Sequence, residues 1–401
     1  MRVVNILLAF VLTCSIGCAH KRIPSKGKTL AEQMALSEMI RNPDASRLDF
    51  VKEPKWNYTN GLVCSAVERV WKTTGNEKYY AYIKDYADMM INESGEIKAY
   101  KASDYNIDKV NSGKFLFALY EHTKDEKYAK AIHLLRDQMK SHPRTSEGGF
   151  WHKKIYPHQM WLDGLYMGSP FLAQYAMVFG EKELFEDVAL QFRLIDKYTY
   201  DAESGLYYHA WDESKEQQWA NKEDGKSPHV WGRAMGWFAM SLVDALDFIP
   251  VDHAERKQIL TILNKMASAV AKSQHAQSGV WYQVMDQPNR EGNYLEASAS
   301  AMFTYFLLKA LNKGYIGAEY EKIARKAYDG VLREFIKVAD DGMVSITKVC
   351  SVAGLGGNPY RDGSFEYYIN EPQRDNDPKA VGPFIMMDLE YAIFDKASKM
   401  K

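Results

Sequence analysis

Apolar residues recur at helical spacing over most of the chain, as at Tyr82, Tyr86, Met89 and Met90. Each helical run opens with the same kind of turn: a short polar stretch, then charged residues, then an aromatic or apolar residue. This turn stands at 73–80, 123–128 and 179–185, with looser copies around 252–256 and 317–320. A second unit follows the helices, a Gly turn leading into an aromatic-rich extended stretch, at Gly95, Gly148, Gly205, Gly279 and Gly342. Another helix rich in small and aromatic residues comes after each stretch, for example over 231–237 and 297–302. The period is roughly fifty to seventy residues, one helical hairpin per unit, and about six units fit the chain. Stacked hairpins form an open superhelix or a closed ring. The long aromatic loops fall on the same side of every hairpin, which favours a closed all-α toroid with the loops walling one funnel-shaped cleft.

The first residues follow a different pattern. Met1-Arg2 is a short basic start, Val3 to Thr13 is almost continuously apolar, and Ser15-Ile16-Gly17-Cys18 follows. This predicts a secretory signal over 1–18, too short for a membrane span. The small residue before Cys18 resembles a bacterial lipobox, although Ser15 stands where Leu is usual. The expectation is an exported, periplasmic lipoprotein that meets the membrane only through a lipid on Cys18, with simple secretion as the alternative. A flexible tether over 19–30 and one catalytic domain over 31–401 follow, since no Pro/Gly/Ser-rich linker interrupts the mature chain.

At 401 residues and 46% hydrophobic content, the chain can bury a large core. A formal net charge of -1 leaves no basic excess to neutralise phosphates, which argues against nucleic acid as a partner. With 26 Tyr and 9 Trp there are more rings than a helical core needs, and rings in a cleft stack on sugar faces. Cys64 and Cys350 remain after processing, and an oxidising compartment would permit a disulfide. Cys64 lies in an apolar helix start and reads as a buried small residue. No Cys/His cluster has zinc spacing.

Unusual polar residues gather in four clusters on the predicted loops: 151–167, 209–212, 227–237 and 354–364. Asp163 lies between Leu162 and Gly164, amid Trp161, Tyr166 and Met167. A carboxyl group there is desolvated, its pKa rises, and it suits a general acid; the alternative is a helix cap. Asp108 sits at another loop-to-helix junction, where it reads as a cap, a partner of Lys109, or the second carboxylate of a glycoside-cleaving pair. His152, His209 and His229 are three of only 10 histidines and stand in equivalent repeat positions. Arg233, in an apolar helix, needs an anion, either an internal carboxylate or one from a ligand. The glycines at 354–357 lack the Lys-Ser/Thr ending of a phosphate loop.

At these residues the sequence resembles glycoside hydrolase family 105, the unsaturated rhamnogalacturonyl hydrolases and their relatives. The resemblance is strongest over 159–167 and 228–237, continues through 354–363 and Tyr367-Tyr368, and spans the chain from Trp56 to Tyr391. It implies an (α/α)6 barrel acting on oligosaccharides that a lyase has left with a 4,5-unsaturated uronic acid at the non-reducing end. In this family the C4–C5 double bond is hydrated and no metal or cofactor is required. The resemblance assigns Asp163 as the proton donor to C4 and Asp108 as a secondary acid/base or positioning group. His152, His209, Arg233 and Trp237 would line the uronate subsite, with Tyr58 and His229 as further candidates. Arg233 and a His would hold the carboxylate, while Trp161, Trp211 or Trp237 stack on the ring. The rival readings are a polysaccharide lyase or inverting glycosidase on the same toroid, and a non-catalytic glycan-binding lipoprotein. The leaving sugar and the choice between unsaturated galacturonate and glucuronate are not written in the motifs.

Overall fold

The computed structural model describes residues 27–400. The expected signal with Cys18, and most of the tether, lie outside the described residues. Helix α1 (Leu30–Arg41) opens with a capping box between Thr29 and Glu32. Helical hairpins then follow one another. They are α2 (Tyr58–Thr74) with α3 (Glu77–Met90), and a 3-10 segment (Ile107–Gly113) running into α4 (Leu116–Thr123) with α5 (Glu126–Lys140). Next come α6 (Leu162–Phe179) with α7 (Leu184–Thr199), α8 (Gly232–Ala245) with α9 (Arg256–Lys272), and α10 (Ala297–Asn312) with α11 (Glu321–Phe335). The short α12 (Phe365–Asn370) precedes the last helix, α13 (Pro378–Lys399).

The inner members close a ring. Helix α2 packs on the 3-10 segment, that segment on α6, α6 on α8, α8 on α10, α10 on α13, and α13 back on α2. Around them stand α3, α5, α7, α9, α11 and, against α13, α1. The fold is therefore the (α/α)6 barrel that the repeats and the resemblance predict.

Burial explains why each helix takes its layer. Every residue of α8, and α10 from Ala297 to Ala310, is buried, because these helices are enclosed by the axis on one side and the outer shell on the other. Their Ala, Ser and Gly residues let neighbours approach. The outer helices bury one stripe only, as in α5, where Tyr128, Ala131, Ile132 and Leu135 face inward. Cys64 and Cys350 are both buried and free, so Cys64 is core filler as expected.

The predicted Gly turns follow five outer helices and send the chain to one end of the ring. Gly95, Gly148, Gly205, Gly279 and Gly342 all have left-handed backbones, with φ of 83°, 96°, 76°, 80° and 83°. The aromatic stretches after them form isolated bridges, such as Arg144 with Phe150 and Tyr200 with Tyr207. They also form three short antiparallel pairs: β1 (Gln159–Trp161) with β2 (Ala210–Asp212), β3 (Ile336–Val338) with β4 (Val344–Ile346), and β5 (Val349–Cys350) with β6 (Gln373–Arg374).

At the other end, the C-terminal turns of the inner helices meet in a buried ionic cluster. Lys309 Nζ lies 2.6 Å from Asp244, and Arg69 lies 3.4 Å from the same carboxylate. Burial opposes a charge on Asp244, but Lys309 and Arg69 outweigh it and hold the carboxyl below its ordinary value. Lys114 lines the adjoining cavity, and burial pushes its amine down to about 7.

One contact fixes the start of α2 against its neighbour. A Cβ on Gly61 would lie 2.4 Å from the Ser112 Cα, so the two backbones touch there. The same contact lets Asn111 donate to the Tyr58 carbonyl at 2.8 Å. Gly61→Ala is therefore expected to lower the unfolding free energy by about 1–3 kcal/mol through overpacking. Urea denaturation measures this, and an unchanged midpoint would show that the backbones are not in contact.

Candidate active site

The inner helices begin where the long loops converge, and the candidate residues stand on those first turns. Asp163 is the second residue of α6, whose N-cap position is Trp161 and carries no side-chain cap. The capping alternative for Asp163 is thereby excluded. The β1–β2 pair sets Trp161 opposite Ala210, and the Leu162 amide donates to the His209 carbonyl at 3.0 Å. This short ladder brings two residues distant in sequence together, with His209 Nε2 3.2 Å from Asp163 Oδ2.

That neighbour corrects the expected electrostatics of Asp163. Burial pushes its carboxyl up, as expected from the flanking apolar residues, but the adjacent His209 outweighs burial and holds it below the ordinary carboxylate value. His152 contributes little to this pull at neutral pH, because burial pushes its own ring down to about 4 and leaves it uncharged. Asp163 therefore rests as a carboxylate, paired rather than merely desolvated.

Asp108 sits in the 3-10 segment, which Asn106 caps by accepting from the Asp108 amide at 3.0 Å. It is neither a cap nor the partner of Lys109, which reaches Asp104 at 3.3 Å instead. Asp108 faces His152 Nε2 at 3.4 Å and Lys153 Nζ at 2.5 Å. His229 Nδ1 lies 2.7 Å from Asp286. Each of the three predicted histidines thus stands against an aspartate, and His152 lies between the Asp108 and Asp163 carboxylates.

Arg233 is the second residue of α8 and is 1% exposed. Its Nη1 donates to the Ser298 hydroxyl at 3.3 Å and to the Cys350 carbonyl, and the guanidinium lies 4.6 Å from the Trp231 ring centre. Among the described residues no carboxylate lies within salt-bridge distance of it; buried Glu296, which accepts from the Ser298 hydroxyl, and Asp377 favour its charge from further away. Its Nε and Nη2 are buried donors without an acceptor.

The stacking expected of three tryptophans is corrected by their surroundings. Trp161 lies parallel to His152 at 4.5 Å and to Tyr156 at 5.0 Å. Trp211 stacks on Tyr198 at 3.8 Å and donates to the Asp224 carbonyl. Trp237 is 1% exposed, between Tyr166 and the edge of Tyr58. All three rings are buried against these neighbours, so they shape the wall from behind. Tyr58 and Tyr156 are the half-buried rings at the mouth.

Three contributors escaped the sequence reading. Tyr368, fully buried, meets His209 Nδ1 at 2.8 Å. Lys153 pairs with Asp108 and opens onto a cleft of about 490 Å3. Arg361, in the Gly-rich stretch, donates to the Tyr156 hydroxyl at 2.9 Å and ties two loops together. Their only signal was position inside the motif stretches. Among the described residues no three of His, Cys, Asp or Glu are grouped to hold a metal ion, and no helix is long and apolar enough to cross a membrane.

Comparisons with known proteins agree with this geometry. A family model described as Glycosyl Hydrolase Family 88 matches residues 30–394. A solved glycoside hydrolase from family 105 of C. acetobutylicum ATCC 824 is 45% identical, covers 91% of this chain and 99% of its own, and superimposes with a TM-score of 0.88. Protein Atu3128 of Agrobacterium fabrum is 42% identical over 55% of this chain and 96% of its own length. The unsaturated rhamnogalacturonyl hydrolase YesR of Bacillus subtilis (strain 168) is 29% identical over 72% of this chain and 78% of its own. The resemblance to family 105 read from the motifs is borne out.

The buried histidines give the fold a pH dependence of definite sign. Burial holds His152 and His142 at about 4 against an ordinary 6.5, so between these values the unfolded chain binds protons that the folded one refuses. Stability is full above pH 6.5 and falls on the way to about 4, by on the order of 2–3 kcal/mol per histidine. Urea unfolding across that window checks it, with His142→Gln flattening the slope. A stability independent of pH there would contradict it.

Proposed function

The chain belongs to glycosyl hydrolase families 88 and 105, and from that premise we propose that it removes a 4,5-unsaturated uronic acid from the non-reducing end of lyase-generated oligosaccharides. The observation that carries this reading is Arg233: a buried guanidinium fork whose Nε and Nη2 have no acceptor and no carboxylate at salt-bridge distance, at the end of the ring where Asp163 stands. A uronate carboxylate is the planar anion that such a fork matches. Inner helices that begin around the same mouth add partial positive charge there.

The chemistry follows from the paired carboxyl. An incoming uronate adds negative charge beside Asp163 and raises its proton affinity. The proton comes from His209, whose Nε2 faces Oδ2. Asp163 then delivers it to C4 of the double bond, and water adds at C5, giving up a proton to the same carboxylate. The hemiketal formed at C5 opens to a ketone. C1 is left as a hemiacetal that collapses to an aldehyde and releases the leaving sugar with its oxygen. Asp108, held by Lys153 and His152, orients the substrate hydroxyls or the water. By likeness to the YesR enzyme, an unsaturated galacturonyl group on rhamnose is the first substrate to offer, with unsaturated glucuronides as the comparison.

The Met1–Cys18 reading accords with an enzyme that meets polysaccharide fragments outside the cytoplasm. If Cys18 carries a lipid, the expressed enzyme partitions into membranes and Cys18→Ser moves it to the soluble fraction; a wild type already soluble would refute the anchor.

The conjugated double bond absorbs in the near ultraviolet, so turnover is expected to lower that absorbance. A rise would mean a lyase, and binding without change for every unsaturated uronide would mean a glycan-binding protein. Asp163→Asn is expected to cut kcat by on the order of a thousandfold while sparing affinity. Arg233→Lys is expected to raise KM about tenfold or more, since an ammonium lacks the fork. An active Asp163→Asn enzyme would remove Asp163 from its role.

A further inference from the structure

His209 is fully buried, and both of its ring nitrogens face a specific group. Nε2 faces Asp163 at 3.2 Å, and Nδ1 lies 2.8 Å from the Tyr368 hydroxyl. Tyr368 is itself locked. It lies on α12, which Ser364 caps, its ring is parallel to Trp231 at 6.0 Å, and its carbonyl accepts from Gln283 at 3.1 Å. Among the described residues its hydroxyl has His209 as its one hydrogen-bond partner. A phenol can donate to a neutral imidazole or accept from an imidazolium. A phenol oxygen that accepts from Nδ1–H leaves Nε2, the nitrogen that faces Asp163, as the one that exchanges a proton with the carboxylate.

We propose that Tyr368 is a positioning residue that acts through His209: its oxygen accepts from Nδ1–H, so the proton that the imidazolium gives to Asp163 is the one on Nε2. This rests on the reading of Asp163 as the proton donor. The imidazolium donates from Nδ1 to the Tyr368 oxygen and presents Nε2–H to Asp163; when the Nε2 proton passes to Asp163, the neutral ring keeps Nδ1–H on the Tyr368 oxygen, and the proton that Asp163 later takes from the attacking water returns to Nε2. The phenol serves both states without the imidazole turning. A merely structural Tyr368 would fill the space beside Trp231 and leave the proton unaffected. The other charges facing this pair are Asp108 with His152 and Lys153 on one side, and Asp286 with its partner His229, and Asp362, on the other. None of them contacts Nδ1.

Tyr368→Phe keeps the ring and removes the hydroxyl. With an unsaturated galacturonyl-rhamnose disaccharide, kcat is expected to fall about tenfold to a hundredfold with KM changed less than about twofold. The hydrogen bond to the charged ring is the stronger of the two lost, so the alkaline limb of the kcat/KM profile is expected to move to lower pH by about one unit. Wild-type kcat and an unmoved limb would overturn the proposal. Nitrogen-15 NMR of the substrate-free wild type, with His209→Gln for assignment, gives a test independent of turnover and of the variant's folding. A His209 protonated on Nδ1, as imidazolium or as the neutral Nδ1–H tautomer, supports the proposal, and a neutral ring protonated on Nε2 overturns it. If the wild type consumes no unsaturated uronide, the reading of Asp163 fails, and the nitrogen shifts still decide whether Tyr368 sets the His209 proton.

Discussion

Each inner helix before α13 hands the chain to an outer helix that runs back, so the inner helices begin at the same end of the ring. Ring closure therefore gathers the first turns of α2, the 3-10 segment, α6, α8, α10 and α13 around one mouth. Their unpaired amides and dipoles all point there, each dipole worth about 0.3–1 kcal/mol to a nearby anion. The mouth is positively polarised before any side chain is counted. Asp108 and Asp163 stand on two of those first turns, and Arg233 on a third. The opposite end obeys the reverse rule, since the C-terminal turns collect Arg69 and Lys309 beside Asp244.

Within that frame the site is organised by aspartate–histidine contacts rather than by isolated acids. A carboxylate alone in this much apolar surface would take up a proton. His209 lets Asp163 stay ionised until a uronate arrives, and keeps a proton within reach. His152 plays a different part. It is uncharged at neutral pH, packed on Trp161, and separates two negative groups that would otherwise repel. The aromatic residues are mostly framework. Trp161, Trp211, Trp231 and Trp237 hold imidazoles, a guanidinium and tyrosines in fixed orientations, which is what precise proton transfer needs from its surroundings.

Much of the architecture was readable from local pattern. Helical periodicity and a turn recurring between helices are short-range properties, set by neighbours three or four residues apart. The five glycines that punctuate the outer-to-inner connections sit where only a left-handed backbone serves. Asp163 and Arg233 stood out because a charge in an apolar run is anomalous wherever it lies, and Asp108 because it sits at a loop-to-helix junction. Lys153 and Tyr368 did not stand out, since a lysine in a loop and a tyrosine in a short helix are ordinary until their partners are known.

By itself the sequence determined the hairpin repeat and the residue types available for chemistry on an acidic sugar. It also marked Asp163 as the acid, but predicted a carboxyl raised by apolar neighbours. Only the tertiary structure decided that His209 would meet it across the β1–β2 pair and hold it ionised, that Arg233 would have no carboxylate within salt-bridge distance, and that the tryptophans would pack on His152, Tyr198 and Tyr166. The physical reason is range. Burial and helix formation follow from a residue and its near neighbours, whereas a proton affinity is set by whichever charge lies within a few ångströms, and ring closure brings that charge from distant parts of the chain.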